Sequence, residues 1–194
     1  MAVPCCDANL FEWQLCHLAC ACRNVLHWHI LDSSSFPVKS LKFPQLSAKG
    51  AYSPAATYSL DELRELVEFA KGRGVRIVVE IEMPGHGSFS AGMPELSLTS
   101  CDDVLDPTKD STYKFLGDFL QEMTTVFTDS LLYLGGDEVG FDPKCKWPGT
   151  SKCGYHCFDR DPAVAAWMKT QGSMFRPRVF TVRRKVLSNT KHSI

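Results

Sequence analysis

The sequence predicts an α/β fold made of parallel strand–helix units, and three observations support this prediction. Short apolar segments at 24–32, 75–81 and 131–139 have the length and composition of strands. A helical pattern follows each of them, so that the order is strand–helix repeated three times. Polar side chains also gather where each strand ends. Both a barrel and an open doubly wound sheet fit this order.

Composition limits the classes of function. The chain has 194 residues, of which 44% are hydrophobic and 22% charged, which is enough for one domain with a real core. Its net charge of −1 gives no general reason to expect nucleic acid or membrane partners. No apolar run is long enough to span a bilayer.

The first predicted strand is apolar on both faces, which is typical of a central parallel strand. Its apolar residues are Val25, Leu26, Trp28, Ile30 and Leu31. Two histidines, His27 and His29, interrupt the run.

The predicted helices have recognisable starts and stops. A capping box at Ser59-Leu60-Asp61-Glu62 begins the first, and Gly72 and Gly74 end it. The second has an apolar face of period 3.6 between Phe115 and Phe127. The third begins at Asp161-Pro162 and ends at Gly172.

The two ends of the chain differ from its middle. Residues 1–23 hold five cysteines and are left unassigned, and no recognisable signal peptide occurs there. A zinc site that uses Cys16, His17, Cys20 and Cys22 has poor spacing, so buried free thiols are the favoured interpretation. Residues 173–194 are basic, contain no acid and are expected to form a poorly ordered tail.

Six polar residues mark the ends of the three predicted strands. They are His29 and Asp32, then Glu82 and His86, then Asp137 and Glu138. Loops at the carboxyl edge of parallel strands form the active site in such folds, so these side chains are expected to share one pocket. Gly135 and Gly136 allow the chain to turn directly before the adjacent pair of acids.

Two reaction classes can use this set. Metal-assisted hydrolysis could use His27, His29, Asp32 and His86, but no helix carries paired histidines at four-residue spacing. Glycoside hydrolysis needs a protonated acid beside a second carboxylate, which Glu138 and Asp137 provide. The sequence has no glycine-rich phosphate loop, and no metal or cofactor is predicted.

Three motifs also resemble a known family. They are His-Trp-His-Ile-Leu-Asp-Ser at 27–33, Met-Pro-Gly-His at 83–86 and Leu-Gly-Gly-Asp-Glu-Val at 134–139. In this order they resemble the catalytic domain of the β-N-acetylhexosaminidases, glycoside hydrolase family 20. The resemblance covers residues 24–172 and implies a partial (β/α)8 TIM-type barrel with about three β/α units.

The resemblance implies removal of terminal N-acetylglucosamine or N-acetylgalactosamine from glycoconjugates, with retention assisted by the substrate's acetamido group. Glu138 would be the general acid and then the base, and Asp137 would orient the acetamido group. His29, Asp32, His86 and Glu82 would bind the substrate or support the acid. Asp32 and His86 are expected to form a relay that tunes Glu138.

The resemblance carries two further expectations. Glu82 stands where the family usually has Asp, and the extra methylene is expected to disturb the supporting hydrogen bonds. Cys101 and Cys145 match a loop disulfide of similar enzymes. A lysosomal or secreted location and a dimer follow by analogy with the family.

Some of the family's features have no match in this chain. These are the arginine of the first barrel strand and the tryptophans that form the wall of the acetamido pocket. Two interpretations therefore stay open. The chain is a hexosaminidase, or it is a truncated, inactive derivative that retains at most sugar binding.

Overall fold

The computed structural model describes residues 10–136, 158 and 161–170 of the chain. In chain order, the described elements are α1 (Leu10–Cys20), β1 (Val25–His29), β2 (Val38–Lys39), α2 (Gln45–Gly50), β3 (Tyr58–Ser59), α3 (Leu60–Lys71), β4 (Arg76–Ile81), α4 (Phe89–Gly92), a 3-10 helix (Pro94–Leu96), β5 (Ser97–Leu98), β6 (Cys101–Leu105), α5 (Asp110–Thr124), β7 (Tyr133–Leu134) and α6 (Pro162–Thr170).

The three predicted strands form one parallel sheet in the order β1-β4-β7. In that sheet His29 is in register with Glu80, and Glu80 with Tyr133. The prediction that the first strand is central is wrong for the described part of the chain. There β4 is central and β1 lies at the edge, so its inward-facing residues remain partly exposed.

Helices α3 and α5 cover one face of this sheet, and the main hydrophobic core lies between the sheet and these helices. The predicted capping box is confirmed. The Ser59 side chain accepts from the Glu62 N–H, and the Glu62 carboxylate accepts from the Ser59 N–H. Helix α5 contributes Phe115 and Phe119, whose rings are stacked with centroids 5.9 Å apart.

The segments between the predicted elements contain more structure than the sequence pattern indicated. Strands β2 and β3 form a short parallel pair, and β5 and β6 form an antiparallel hairpin. Periodicity cannot reveal strands of two residues, because so short a segment does not complete one alternation of faces.

A buried carboxylate joins the loop after β2 to helix α5. Glu122 is 6% exposed and accepts hydrogen bonds from the Ser40 hydroxyl at 2.5 Å and the Leu41 and Lys42 N–H groups at 2.9 and 3.1 Å. These three donors satisfy a charge that would otherwise be costly to bury.

Helix α6 begins as predicted, and it packs on a second, smaller core. Asp161 Oδ1 accepts from the Ala163 and Val164 N–H groups at 2.9 and 3.1 Å, and Oδ2 accepts from the Ser100 hydroxyl at 2.6 Å. These hydrogen bonds hold the pKa of Asp161 below its usual value, and the bond from Ser100 has the largest effect. The buried residues of this core are Leu98, Val104, Phe158 and Val164.

The prediction of buried free thiols near the amino terminus is wrong for the residues described. Cys16 is buried but is bonded in a disulfide, whereas Cys20 and Cys22 are free and exposed. Helix α1 places Leu15 and Cys16 against the main body, whereas Cys20 is its last residue, Cys22 follows it, and both of these thiols are exposed. Among the helices that the structure describes, none is long and apolar enough to cross a membrane.

We predict that Phe119→Ala lowers the free energy of unfolding by about 3–5 kcal/mol, because it empties a fully buried ring site. Leu41→Ala is the control, since Leu41 is 79% exposed and its loss should change stability by less than about 0.5 kcal/mol. Urea denaturation measures both. Equal midpoints for the two variants would contradict the assignment of Phe119 to the core.

Candidate functional site

The carboxyl end of β1 positions His29 and Asp32. His29 Nε2 lies 3.6 Å from Asp32 Oδ2, and both side chains are substantially exposed. A narrow turn follows, in which Asp32 and Ser35 exchange backbone hydrogen bonds of 3.0 and 3.3 Å. This turn holds the backbone of Asp32 at the edge of the sheet.

The carboxyl end of β4 positions Glu82, whose side chain is fully buried. Glu82 Oε1 accepts a hydrogen bond from the Gly136 N–H, and the Gly135 N–H donates to the Ile81 carbonyl at 3.2 Å. A Cβ atom on Gly135 would overlap the Glu82 carboxylate. Glycine is therefore needed there so that the third strand end can close over the carboxylate.

The turn after β4 positions His86, and Ser33 connects it to the first strand end. The Ser33 hydroxyl lies 2.8 Å from His86 Nδ1, and the Ser33 N–H donates to Asp32 Oδ1 at 2.6 Å. Ser33 thus bridges Asp32 and His86. A direct relay between Asp32 and His86 stays a prediction, since the described contact at Nδ1 is with Ser33.

Asp103 lies beside this group and was missed by the sequence analysis. Burial raises the pKa of its carboxyl group, against the opposing effects of the Ser33 side chain, His86 and the Ser88 backbone. Asp103 adopts a left-handed φ of +63°, as do His86 at +57° and Ser88 at +52°. Asp103 lies in a segment that the sequence pattern predicted to be a loop, so nothing in the sequence indicated that it lies near Ser33 and His86.

The face of the sheet opposite α3 and α5 carries a second polar group around Glu80, which the sequence pattern did not reveal. His27 Nε2 lies 2.6 Å from Glu80 Oε2, and His29 Nδ1 lies 3.5 Å from the same oxygen. The rings of His27 and Tyr133 are 5.0 Å apart. The available signal was the two-residue spacing of Glu80 and Glu82, because side chains two residues apart in an extended chain point to the same side.

Three of the predicted site residues lie outside the described part of the chain. They are Asp137, Glu138 and Cys145. Cys101 is bonded in a disulfide, and its pairing with Cys145 stays a prediction. The predicted site residues that the structure describes, His29, Asp32, Glu82 and His86, lie together at one edge of the sheet. Gly136, the residue before Asp137, reaches the same edge.

An open cleft of about 400 Å³ extends from His29 and Asp32 toward the loop between α2 and β3. Its lining includes the aromatic residues Tyr52 and Tyr58 and the polar residues Ser35 and Thr57. A cleft that combines aromatic faces with hydroxyl and carboxylate groups is suited to a polar small molecule.

Comparison with known proteins identifies the family to which this site belongs. The model of the catalytic domain of glycosyl hydrolase family 20 matches residues 11–190. The chain belongs to glycosyl hydrolase family 20. The resemblance inferred from the three motifs is thereby confirmed.

Curated relatives in this family are longer than the chain. Beta-hexosaminidase A of Caenorhabditis briggsae is 43% identical over 141 residues, which cover 68% of this chain and 25% of that protein. Beta-hexosaminidase A of Caenorhabditis elegans is 36% identical over 176 residues, which cover 86% of this chain and 30% of that protein. The chain thus spans between a quarter and a third of these relatives.

A family 20 structure has the same fold. The chitobiase of Flavobacterium johnsoniae matches 95% of this chain and 28% of its own, with a TM-score of 0.77 and 24% sequence identity. This likeness supports the α/β fold that the strand–helix alternation predicted.

We predict that Gly135→Ala destabilises the protein by about 1–3 kcal/mol or more, because the new methyl group would overlap the buried Glu82 carboxylate. Gly117→Ala is the matched control. Gly117 lies inside α5, and a methyl group added there would have no neighbour within 4 Å, so alanine should stabilise by about 0.5–1 kcal/mol. Urea unfolding of both variants should give shifts of opposite sign, and shifts of the same sign would contradict the packing at Gly135.

We predict that Asp103→Asn stabilises the protein near neutral pH and that this gain shrinks in acid. Because the pKa of Asp103 is raised in the folded state, the protonated folded form is favoured below the ordinary value of 3.8, and this advantage is lost as the pH rises through the folded pKa. Asparagine removes the cost of the buried charge and tolerates the positive φ. Urea unfolding between pH 4 and 7 measures the difference.

The control for this pH dependence is Glu65→Gln, on the exposed face of α3. Its effect should stay within about 0.5 kcal/mol at every pH. A gain from Asp103→Asn that is the same at pH 4 and pH 7 would contradict the assignment.

Proposed function

We propose that this chain contributes the acid–base residues of a β-N-acetylhexosaminidase that removes terminal N-acetylglucosamine or N-acetylgalactosamine from glycoconjugates. The observation that carries the proposal is the junction of Glu82 with Gly135 and Gly136. This junction attaches the residues just before Asp137 to the end of β4. The neighbouring end of β1 carries His29 and Asp32. Membership of glycosyl hydrolase family 20 supports the reaction class.

In the proposed reaction, Glu138 protonates the glycosidic oxygen while the acetamido oxygen of the substrate attacks the anomeric carbon. The bond to the leaving group breaks, and an oxazolinium intermediate forms. Asp137 orients the acetamido group and stabilises the positive charge that develops on it. Glu138 then removes a proton from water, which attacks the anomeric carbon and completes hydrolysis with retention.

The described residues would act as supports for this chemistry. Glu82 fixes the turn before Asp137, and the Ser33 bridge holds His86 and Asp32 in a fixed relation. The hydrogen bond from Gly136 supports a positioning role for the longer Glu82 side chain. His29 and Asp32 are among the residues that line the cleft, where they could contact a sugar.

We also propose the finer features of the fold and setting. The parallel β1-β4-β7 sheet with its two covering helices corresponds to three β/α units of a (β/α)8 barrel, with the domain at 24–172. Cys16 and Cys101 are each bonded in a disulfide, which suits a lysosomal or secreted protein. A dimer is proposed only by analogy with the family.

A second candidate is a non-catalytic derivative that retains at most sugar binding. The exposure of Val25, Leu131 and Tyr133 favours it, because these residues would be covered in a closed barrel. Hydrolysis of an N-acetylglucosaminide by the 194-residue chain would contradict this candidate. A folded chain that binds N-acetylglucosamine without turnover would support it.

We predict that Glu138→Gln lowers turnover by at least about 10²-fold, because it removes the general acid. The loss should be larger for N,N′-diacetylchitobiose than for an aryl N-acetylglucosaminide, whose leaving group needs less protonation. Asp137→Asn should slow both substrates by similar factors, since the acetamido group takes part in both reactions. Initial rates on the two substrates measure these effects.

The matched control for these variants is again Glu65→Gln, which should retain full activity. Equal losses on both substrates for Glu138→Gln would contradict its role as the general acid. Hydrolysis of an aryl glucoside that lacks the acetamido group at a comparable rate would contradict the substrate-assisted mechanism.

A further inference from the structure

The face of the parallel sheet opposite α3 and α5 holds a cluster of side chains of the types that can bind a metal ion. His29, Glu80 and Glu82 each offer one ligand atom, and all three atoms lie within 4.8 Å of one another. His29 and Glu80 are neighbours in register across β1 and β4. Glu82 follows two residues later, directly after β4, and its carboxylate lies near the other two ligand atoms.

The charges in this cluster favour a cation. Glu80 is 6% exposed and Glu82 is fully buried, and a buried carboxylate requires a compensating charge or strong hydrogen bonds. The described ion-pair partners of Glu80 are His27 and His29, which carry charge only when they are protonated. A divalent ion bound by Glu80 would supply such a compensating charge.

The donor atoms indicate which ions fit. One imidazole nitrogen and two carboxylate oxygens suit Zn²⁺ and similar first-row ions, whereas Mg²⁺ and Ca²⁺ prefer oxygen ligands alone. Three protein ligands leave a fourth position for water. A tetrahedral ion with bonds of about 2.1 Å holds its ligand atoms about 3.4 Å apart, so the cluster must contract slightly.

The surroundings of the cluster support such a site. His29 is 41% exposed, so its ring can move toward an ion. His27 Nε2 lies 2.6 Å from Glu80 Oε2, which is the kind of contact that orients a ligating carboxylate from outside the coordination sphere. The Gly136 N–H fixes the Glu82 carboxylate in the same way.

We propose that His29, Glu80 and Glu82 bind a divalent first-row transition-metal ion, with Zn²⁺ as the reference ion and His27 as a supporting residue. The proposal does not depend on the hydrolase activity, because it concerns binding alone. His29 and Glu80 are held in register by the parallel pairing of β1 and β4, and Glu82 follows directly after β4, where the Gly136 N–H donates to its carboxylate.

Isothermal titration of the 194-residue chain with ZnCl₂ tests this site. The protein is first treated with a chelator, and Cys20 and Cys22 are replaced by serine in every sample, because exposed free thiols would also bind zinc. We expect one equivalent of Zn²⁺ to bind, and Mg²⁺ at the same concentration to give no comparable binding.

Three variants locate the bound ion. Glu80→Gln and His29→Ala should each weaken binding by more than about 100-fold, and His27→Ala by about 10-fold. The matched controls are His17→Ala on α1 and Glu65→Gln on α3, which should bind zinc like the parent. Circular dichroism before titration confirms that each variant is folded.

X-ray absorption at the zinc edge of the unmutated site gives a second measurement that requires no variant. Nitrogen and oxygen neighbours at about 2.0–2.2 Å support the proposal, and sulfur neighbours at about 2.3 Å would contradict it. Absence of binding, or binding that His29→Ala and Glu80→Gln leave unchanged, would overturn it.

Discussion

The arrangement of the site depends on the burial of one carboxylate, that of Glu82. The chain brings the third strand end over it, and a backbone N–H from Gly136 supplies a hydrogen bond that offsets part of the cost of burial. Such a contact is possible only because Gly135 has no side chain. The same interaction therefore joins the ends of two strands and requires glycine at position 135. It also fixes the position of Gly136, the residue before Asp137 and Glu138.

The two faces of the sheet have different chemical roles. On the covered face, Ile77, Val79 and Ile81 pack against the helices and supply apolar burial. On the other face, His29 and Glu80 are in register on β1 and β4, Glu82 lies directly after β4, and the three side chains form a polar cluster. Because side chains alternate along a strand, a single sheet can carry both a hydrophobic core and a chemical site without conflict.

Much of the fold follows from local sequence pattern, because its main elements are long enough to show a period. The capping box at Ser59 and the apolar face of α5 both predicted real helices, and the family motifs located four site residues at one sheet edge. Asp103 and Glu80 escaped detection for different reasons. Asp103 comes close to His86 only through the tertiary fold, whereas Glu80 lies within a strand dominated by its apolar neighbours.

The separate packing of α6 has a consequence for how the protein opens. Among the described residues, its small core holds four that are buried, and the Ser100 hydroxyl donates a hydrogen bond to Asp161 from the turn of the β5–β6 hairpin. Detaching α6 would therefore expose far less apolar surface than separating α3 and α5 from the sheet. Local unfolding at this end can occur as its own event, with a lower free energy than loss of the whole fold.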